Sequence, residues 1–218
     1  MFRDRLDAAG QLAERLRELK GSNPLVLAIP RGGVPMGKVV ADALEGELDV
    51  VLVHKVPAPG NPEYAIGAIS EDGTLHAAAH MKERYGHDYM QRAADEQLEV
   101  LRKRRERYTP VRPPIDPEGR VVVVVDDGSA TGSTMEAALT TLRERKPQRL
   151  IAALGAAPPD VVRRLEKMAD QVVCLDVTAE FFAVGQFFRD FRQVSDEEVI
   201  KLLRGGSRGE PEQPPDAP

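Results

Sequence analysis

Cysteine is nearly missing: Cys174 is the one thiol in 218 residues. One thiol closes no internal disulfide, so packing must hold the fold, and a reducing, cytoplasmic setting is expected. Long apolar runs are missing too. The longest, around Val121–Val125, has the length of a strand and falls far short of the roughly 18 residues that cross a bilayer. The opening residues, MFRDRLDAAGQLAERL, lack the apolar stretch of a signal peptide, so neither export nor a membrane partner is expected. Positive charge is not in excess: 30 Lys and Arg stand against 35 Asp and Glu, a net charge of −5. A protein that coats nucleic acid runs the other way, so no nucleic-acid partner is expected and any anion site must be local. No Gly-x-Ser-x-Gly elbow occurs, which leaves an α/β-hydrolase unsupported, and there is no internal repeat.

What is present suffices for one filled domain with an insertion: 42% of residues are apolar and 30% charged. Phe2, Leu6, Ala9, Ala13, Leu16 and Leu19 recur at helical spacing over 2–19, and Gly21 stops them. Leu25–Ile29 reads as a buried strand, followed by Pro30-Arg31-Gly32-Gly33 and a helix from about Val34 to Leu44. Val50–His54 reads as a second strand, and Val121–Val125, Leu150–Leu154 and Val172–Leu175 as three more, with helices over 133–145 and 159–169 between them. Continuous β-branched strands separated by amphipathic helices predict an α/β fold. Its sheet is open, mostly parallel and five-stranded, with helices on both faces in a Rossmann-like arrangement.

The alternation breaks over 57–118. This stretch holds prolines at 57, 59, 62, 110, 113, 114 and 117, a hairpin pattern near Ile66–Ala78 around Asp72-Gly73, and a charged helix from about Asp88 to Arg107. One domain over 1–204 is expected, with its core at about 20–56 and 119–180 and a hood formed by 57–118 with 181–195. Residues 205–218, GGSRGEPEQPPDAP, have little to bury and are expected to be a disordered tail.

The chemistry concentrates after the strand Val121–Val125, in Asp126-Asp127-Gly128-Ser129-Ala130-Thr131-Gly132-Ser133-Thr134. A buried strand here delivers two adjacent carboxylates to the carboxyl edge of the sheet, where open α/β sheets bind ligands. Small residues then let a ligand approach the backbone. Free N–H groups at a helix start, together with its dipole, favour a phosphate. A sugar phosphate suits both halves, its diol on the acids and its phosphate in the loop. Ser and Thr also serve as plain helix caps, but tandem acids followed by Thr-Gly-Ser-Thr go beyond what capping needs.

This segment resembles the phosphoribosylpyrophosphate-binding motif of type I phosphoribosyltransferases. Two further segments are similar to parts of that family: Leu27-Ala-Ile-Pro-Arg-Gly-Gly-Val-Pro to its pyrophosphate loop, and Val53-His54-Lys55-Val56-Pro57 to the Lys-containing turn after its second strand. Phe181-Phe-Ala-Val-Gly-Gln-Phe-Phe-Arg-Asp-Phe resembles its C-terminal hood. The likeness covers most of 25–195 and is weakest within 57–118.

The resemblance implies an enzyme that joins a nitrogenous base, or a base-like amine, to 5-phosphoribosyl-1-pyrophosphate, giving a nucleoside monophosphate and pyrophosphate. The alternative is a non-catalytic sensor of phosphoribosylpyrophosphate or nucleotides. Asp126 and Asp127 would hold the ribose hydroxyls and, mainly through water, Mg²⁺. Gly128, Ser129, Ala130, Thr131, Gly132, Ser133 and Thr134 would cradle the 5′-phosphate. Arg31, Gly32, Gly33 and Lys55 would receive pyrophosphate, beside a cis peptide common in that loop. Asp126, Asp127, Arg31 and Lys55 form the implied catalytic set. Phe181, Phe182 and Val184 would bound the base, and a homodimer is left open. In 6-oxopurine members an aspartate typically precedes Thr-Gly; here Ala130 stands there, as in adenine- and uracil-type members, so hypoxanthine and guanine are expected to be poor substrates, with Glu180 and Asp176 the carboxylates able to substitute.

Other signals carry less. Gly32-Gly-Val-Pro-Met-Gly37-Lys38 spells most of a Walker A loop, but Val39 replaces its Ser or Thr and Pro35 removes a donor. His76 and His80 stand four apart without a third ligand in view. Arg102-Lys103-Arg104-Arg105 and Arg107 read as a solvated helix end, where cations are stabilised.

Overall fold

A computed structural model describes residues 1–77 and 79–205. Of the tail expected over 205–218, residues 206–218 lie outside the described residues, and Gly205 caps the last helix. The chain opens with α1 (Arg5–Arg15), whose N-cap Asp4 accepts a hydrogen bond from the Asp7 amide. It then alternates through β1 (Leu25–Ala28), α2 (Gly33–Leu44) and β2 (Glu47–Val50). An inserted unit follows: β3 (Val53–Ala58), β4 (Asn61–Ser70), β5 (Leu75–His76), α3 (Ala79–Tyr85) and α4 (His87–Tyr108). The alternation resumes with β6 (Val121–Asp126), α5 (Ser133–Glu144), β7 (Arg149–Ala157), α6 (Pro159–Leu165) and β8 (Gln171–Val177), and α7 (Asp196–Arg204) ends it.

The main sheet is fully parallel, in the order β2-β1-β6-β7-β8. Both faces are covered, which is why its strands are almost uniformly apolar. On one face Val26, Ala28, Val123, Val125, Ile151 and Ala153 pack with α1, α2 and α7. On the other, Leu27, Val122, Val124, Leu150, Ala152 and Leu154 pack with α5 and α6. Alternate residues of one strand serve opposite faces, as the pleat requires. This is the α/β sheet expected from the sequence.

The second strand departs from its expected place. The run from Val50 to His54 straddles a break: β2 ends at Val50, and β3 starts at Val53 in a separate antiparallel sheet ordered β3-β4-β5. Val51 and Leu52 are buried between the two, so hydrophobicity gives no sign of where the chain changes sheets. The hairpin turn falls at Asp72-Gly73, with Gly73 at φ 87° and the Ser70 amide donating to the Thr74 carbonyl at 3.1 Å.

The inserted sheet packs on α4 through Val56, Ile66, Ile69, Met90, Ala94 and Leu98. It also reaches α5, through Val53 and Ala68 against Met135 and Ala138. Arg105 of α4 is not solvated, contrary to the reading of its basic run. It forks onto Glu71 at 2.5 and 2.7 Å, and its Nη1 lies 3.5 Å from Asp49 Oδ1. Asp49 is 2% exposed and accepts the Ile115 amide at 3.0 Å. Burial raises the Asp49 pKa, opposed by Arg105.

Residues 2–4 are extended rather than helical. The Phe2 amide donates to the Phe187 carbonyl at 2.7 Å, and the Arg189 amide to the Phe2 carbonyl at 3.0 Å. The segment 181–195 therefore runs beside the N-terminal residues. α7 was not expected; its signal is Ser195, which caps the Glu198 amide, with Val199 and Leu203 buried one turn apart.

Candidate active site

β1 and β6 are neighbours, but the chain leaves β1 towards β2 on one side, and β6 continues towards β7 on the other. Loops at the carboxyl ends of two such strands diverge and leave a crevice for a ligand. Two loops meet there: Pro30–Gly32 after β1 and Asp127–Gly132 after β6. The Pro30–Arg31 peptide is cis. A Cβ on Gly32 would stand 2.1 Å from Asp127 Oδ2, and one on Gly33 2.6 Å from the Val125 carbonyl oxygen. Only glycine allows this approach, and it seats the first loop directly on the second acid.

The two acids differ. Asp127 is 8% exposed, and its Oδ2 accepts from Nε of Arg5 at 2.8 Å. Asp126, the last residue of β6, is half-buried and accepts the Asp127 amide at 2.9 Å. Burial raises both carboxyl pKa values. The neighbouring Asp127 charge raises Asp126 further, whereas Arg5 opposes the rise at Asp127.

The loop after them is tightly built. The Ser129 amide donates to the Ala156 carbonyl at 3.0 Å, and Ser129 Oγ accepts the Gly132 amide at 3.0 Å. Gly132, at φ 82°, caps α5. The hydroxyls of Thr131 and Ser133 lie 3.1 Å apart, and Ala130 and Thr131 are exposed. Arg164 of α6 braces the loop from behind. It donates to the Thr131 carbonyl at 2.5 Å and to Glu136 at 2.8 Å. Beside Ser133 and Glu136 a cavity of about 550 Å³ opens towards the inserted sheet, walled by Ile66, His76 and Met81.

Of the other expected residues, Arg31 is 35% exposed, with Nη1 4.0 Å from Asp196 Oδ1. Lys55 lies within β3, paired with Ala68 of the inserted sheet rather than at the end of a main-sheet strand. Val184 reaches the loop: a Cβ on Gly128 would stand 2.8 Å from its Cγ1. Phe181 packs on Phe187 at 4.9 Å between ring centroids, and Phe182 is 90% exposed. Glu180 is exposed and its carbonyl accepts from Gln186 at 2.6 Å.

Three residues at or beside the site escaped the sequence reading: Arg5, Arg164 and Asp196. Each reaches the site from an element distant in sequence. Arg5 and Arg164 sit on ordinary amphipathic helices, where a charged residue reads as surface.

Among the described residues, no cluster of three or more His, Cys, Asp or Glu forms a metal cage. Asp126 and Asp127 supply the carboxylate oxygens here that could hold a hard divalent cation.

A crystal structure of TT1426 from Thermus thermophilus superposes with a TM-score of 0.87 at 48% identity, over 95% of this chain and 100% of that one. A Mycobacterium tuberculosis protein, named provisionally as a phosphoribosyl transferase, is 43% identical over 215 residues. That match takes in 93% of this chain but 46% of the relative, so the chain spans about half the length of the curated relatives it matches. The family model described as the phosphoribosyl transferase domain matches residues 3–187, and the chain belongs to that family.

Proposed function

We propose that the chain is a cytoplasmic phosphoribosyltransferase of the nucleotide-salvage type, acting on 5-phosphoribosyl-1-pyrophosphate and a nitrogenous base. The observation that carries the reading is the seating of Gly32 on Asp127, which brings a diphosphate-side loop and a sugar-phosphate loop to one crevice. The 5′-phosphate fits the loop Gly128–Thr134, at the start of α5, where backbone N–H groups and the helix dipole favour an anion. The ribose diol fits Asp126. The diphosphate fits the Pro30–Gly33 loop and Arg31, with Lys55 approaching from the inserted sheet.

In the reaction, the bond from C1′ of the ribose to the diphosphate oxygen breaks with both electrons leaving on oxygen. A ring nitrogen of the base bonds to C1′ and gives up its proton. Arg31 and Lys55 stabilise the departing charge, and the diacid stabilises the cation-like ribose. When bound, Mg²⁺ supplies charge neutralisation on the diphosphate, held largely through water by Asp126 and Asp127.

The test is release of pyrophosphate from phosphoribosylpyrophosphate across a panel of bases and base-like amines, with Mg²⁺. The expected result is turnover with one class of acceptor, abolished in Asp126→Asn. Tight binding of phosphoribosylpyrophosphate with no turnover on any acceptor would point to a sensor, and no binding at all would end the proposal.

A further inference from the structure

We infer that Arg5 is a positioning residue for this site. It fixes Asp127 beneath the Gly32 loop and so sets the second acid of the pair and that loop together; the inference rests on the phosphoribosyl reading above.

Arg5 stands in the first turn of α1, 122 residues from its partner. Its side chain is 10% exposed and is held from three directions. Nε donates to Asp127 Oδ2 at 2.8 Å, Nη1 donates to the Arg192 carbonyl at 2.7 Å, and the guanidinium lies 3.9 Å from the Phe191 ring centroid. A planar fork with one arm on a carboxylate, one on a carbonyl and a face on an aromatic ring is fixed in plane and in rotation. Burying a guanidinium costs stability unless its partners are well placed, and here they are.

The same carboxylate oxygen does two things. Asp127 Oδ2 accepts from Arg5, and it is the atom nearest a Cβ placed on Gly32. Asp127 is thus enclosed between α1 and the Gly32 loop. Asp126 stands beside it, accepting the Asp127 amide at 2.9 Å, and is the more exposed of the two. Of the two acids only Asp127 takes the Arg5 hydrogen bond, at the oxygen that meets the Gly32 loop.

The experiment is calorimetric titration of phosphoribosylpyrophosphate with Mg²⁺ into wild type, Arg5→Met, Arg5→Lys, Asp126→Asn, Asp127→Asn and the two doubles with Arg5→Met, with a thermal melt of each. Arg5→Met should weaken binding about 10- to 100-fold, the usual loss when a supporting partner is removed, while still melting cooperatively. Arg5→Lys, which keeps the charge but not the fork, should recover only part of that loss. Arg5→Met with Asp127→Asn should bind no worse than the weaker single variant, because the two residues act as one unit. Arg5→Met with Asp126→Asn should bind worse than either single variant, because the Arg5 hydrogen bond goes to Asp127 and not to Asp126.

A merely structural Arg5 would lower Tm and leave the affinity of the folded protein unchanged; that result, or simple addition of the Arg5 and Asp127 losses, overturns the inference. If Arg5→Met does not fold, Arg5→Gln and Arg5→Lys decide the question by the same comparison. Failure of the wild type to bind would instead remove the phosphoribosyl reading, and this inference with it.

Discussion

Gly32 has no room for a side chain because Asp127 fills it: a methyl group there would lie 2.1 Å from Oδ2. The obstacle is no flexible tip, since that carboxylate is already held by Arg5. Gly32→Ala must push the loop away from β6. Displacing a binding loop by about 1 Å costs about 10²-fold in rate. Binding of phosphoribosylpyrophosphate should fall by that order while the melt stays cooperative, and unchanged affinity in calorimetry would show that the two loops do not share a ligand.

Arg105 joins the inserted unit to β2 through Asp49 and Glu71. Arg105→Met leaves Asp49 buried with only the weaker influence of Arg112, and breaking a buried pair this way costs up to about 3–5 kcal/mol. The Asp49 pKa is already raised by burial and should rise further. For an acid with a raised folded pKa, stability is full below the unfolded value and is lost as pH rises through the folded one. The deficit of the variant should therefore shrink towards pH 4, near the unfolded carboxyl value. Urea unfolding at acid and neutral pH measures it, and a deficit independent of pH would exclude Asp49 as its source.

Asp196 accepts from Tyr108 Oη at 3.0 Å and from Arg107 at 2.6 Å. Burial, with the Asp196 hydrogen bond next, pushes the Tyr108 phenol up to about 12 from 10.0. Asp196→Asn should bring its titration down but leave it above 10, because the burial remains. The stability tied to Tyr108 is full below the unfolded value of about 10 and is lost as pH rises through 12; the variant should lose it over a narrower range. Tyrosinate absorbance, with Tyr108→Phe as the blank, reads the shift. No difference between variant and parent would leave burial as the whole cause.

Ala130 is exposed in the loop proposed to take the 5′-phosphate and offers a methyl group where an acid or base could stand. General acid–base help is worth about 10²–10⁴-fold. Hypoxanthine and guanine should therefore be turned over slower by that order than the best acceptor. Parallel rate measurements with hypoxanthine, guanine, adenine and uracil test this. If either 6-oxopurine is fast, Glu180→Gln shows whether Glu180 supplies the missing group.

The sheet was legible in the sequence because a parallel strand covered on both faces has to be apolar throughout, as Val121–Val125 is. The segment Asp126–Thr134 was legible because it is contiguous: strand end, acids, small loop and helix start follow in one stretch of chain. The change of sheet at Val51-Leu52 was not, since burial in either sheet demands the same residues. Arg5, Arg164 and Asp196 were not legible for a different reason. Each becomes part of the site only through a contact made across the fold, and a lone charged residue on a helix carries no sign of which carboxylate or carbonyl it will meet.

α5 begins at the loop Asp127–Gly132, lies along the main sheet through Leu139 and Leu142, and carries the inserted sheet on its flank. Thr141 and His76 clasp the two at 3.0 Å. The helix is thus one stiff beam with the loop at its end and the hairpin bolted to its side. The loop and the hairpin are therefore held in one fixed relation through a single helix, and that helix lines the 550 Å³ cavity between them.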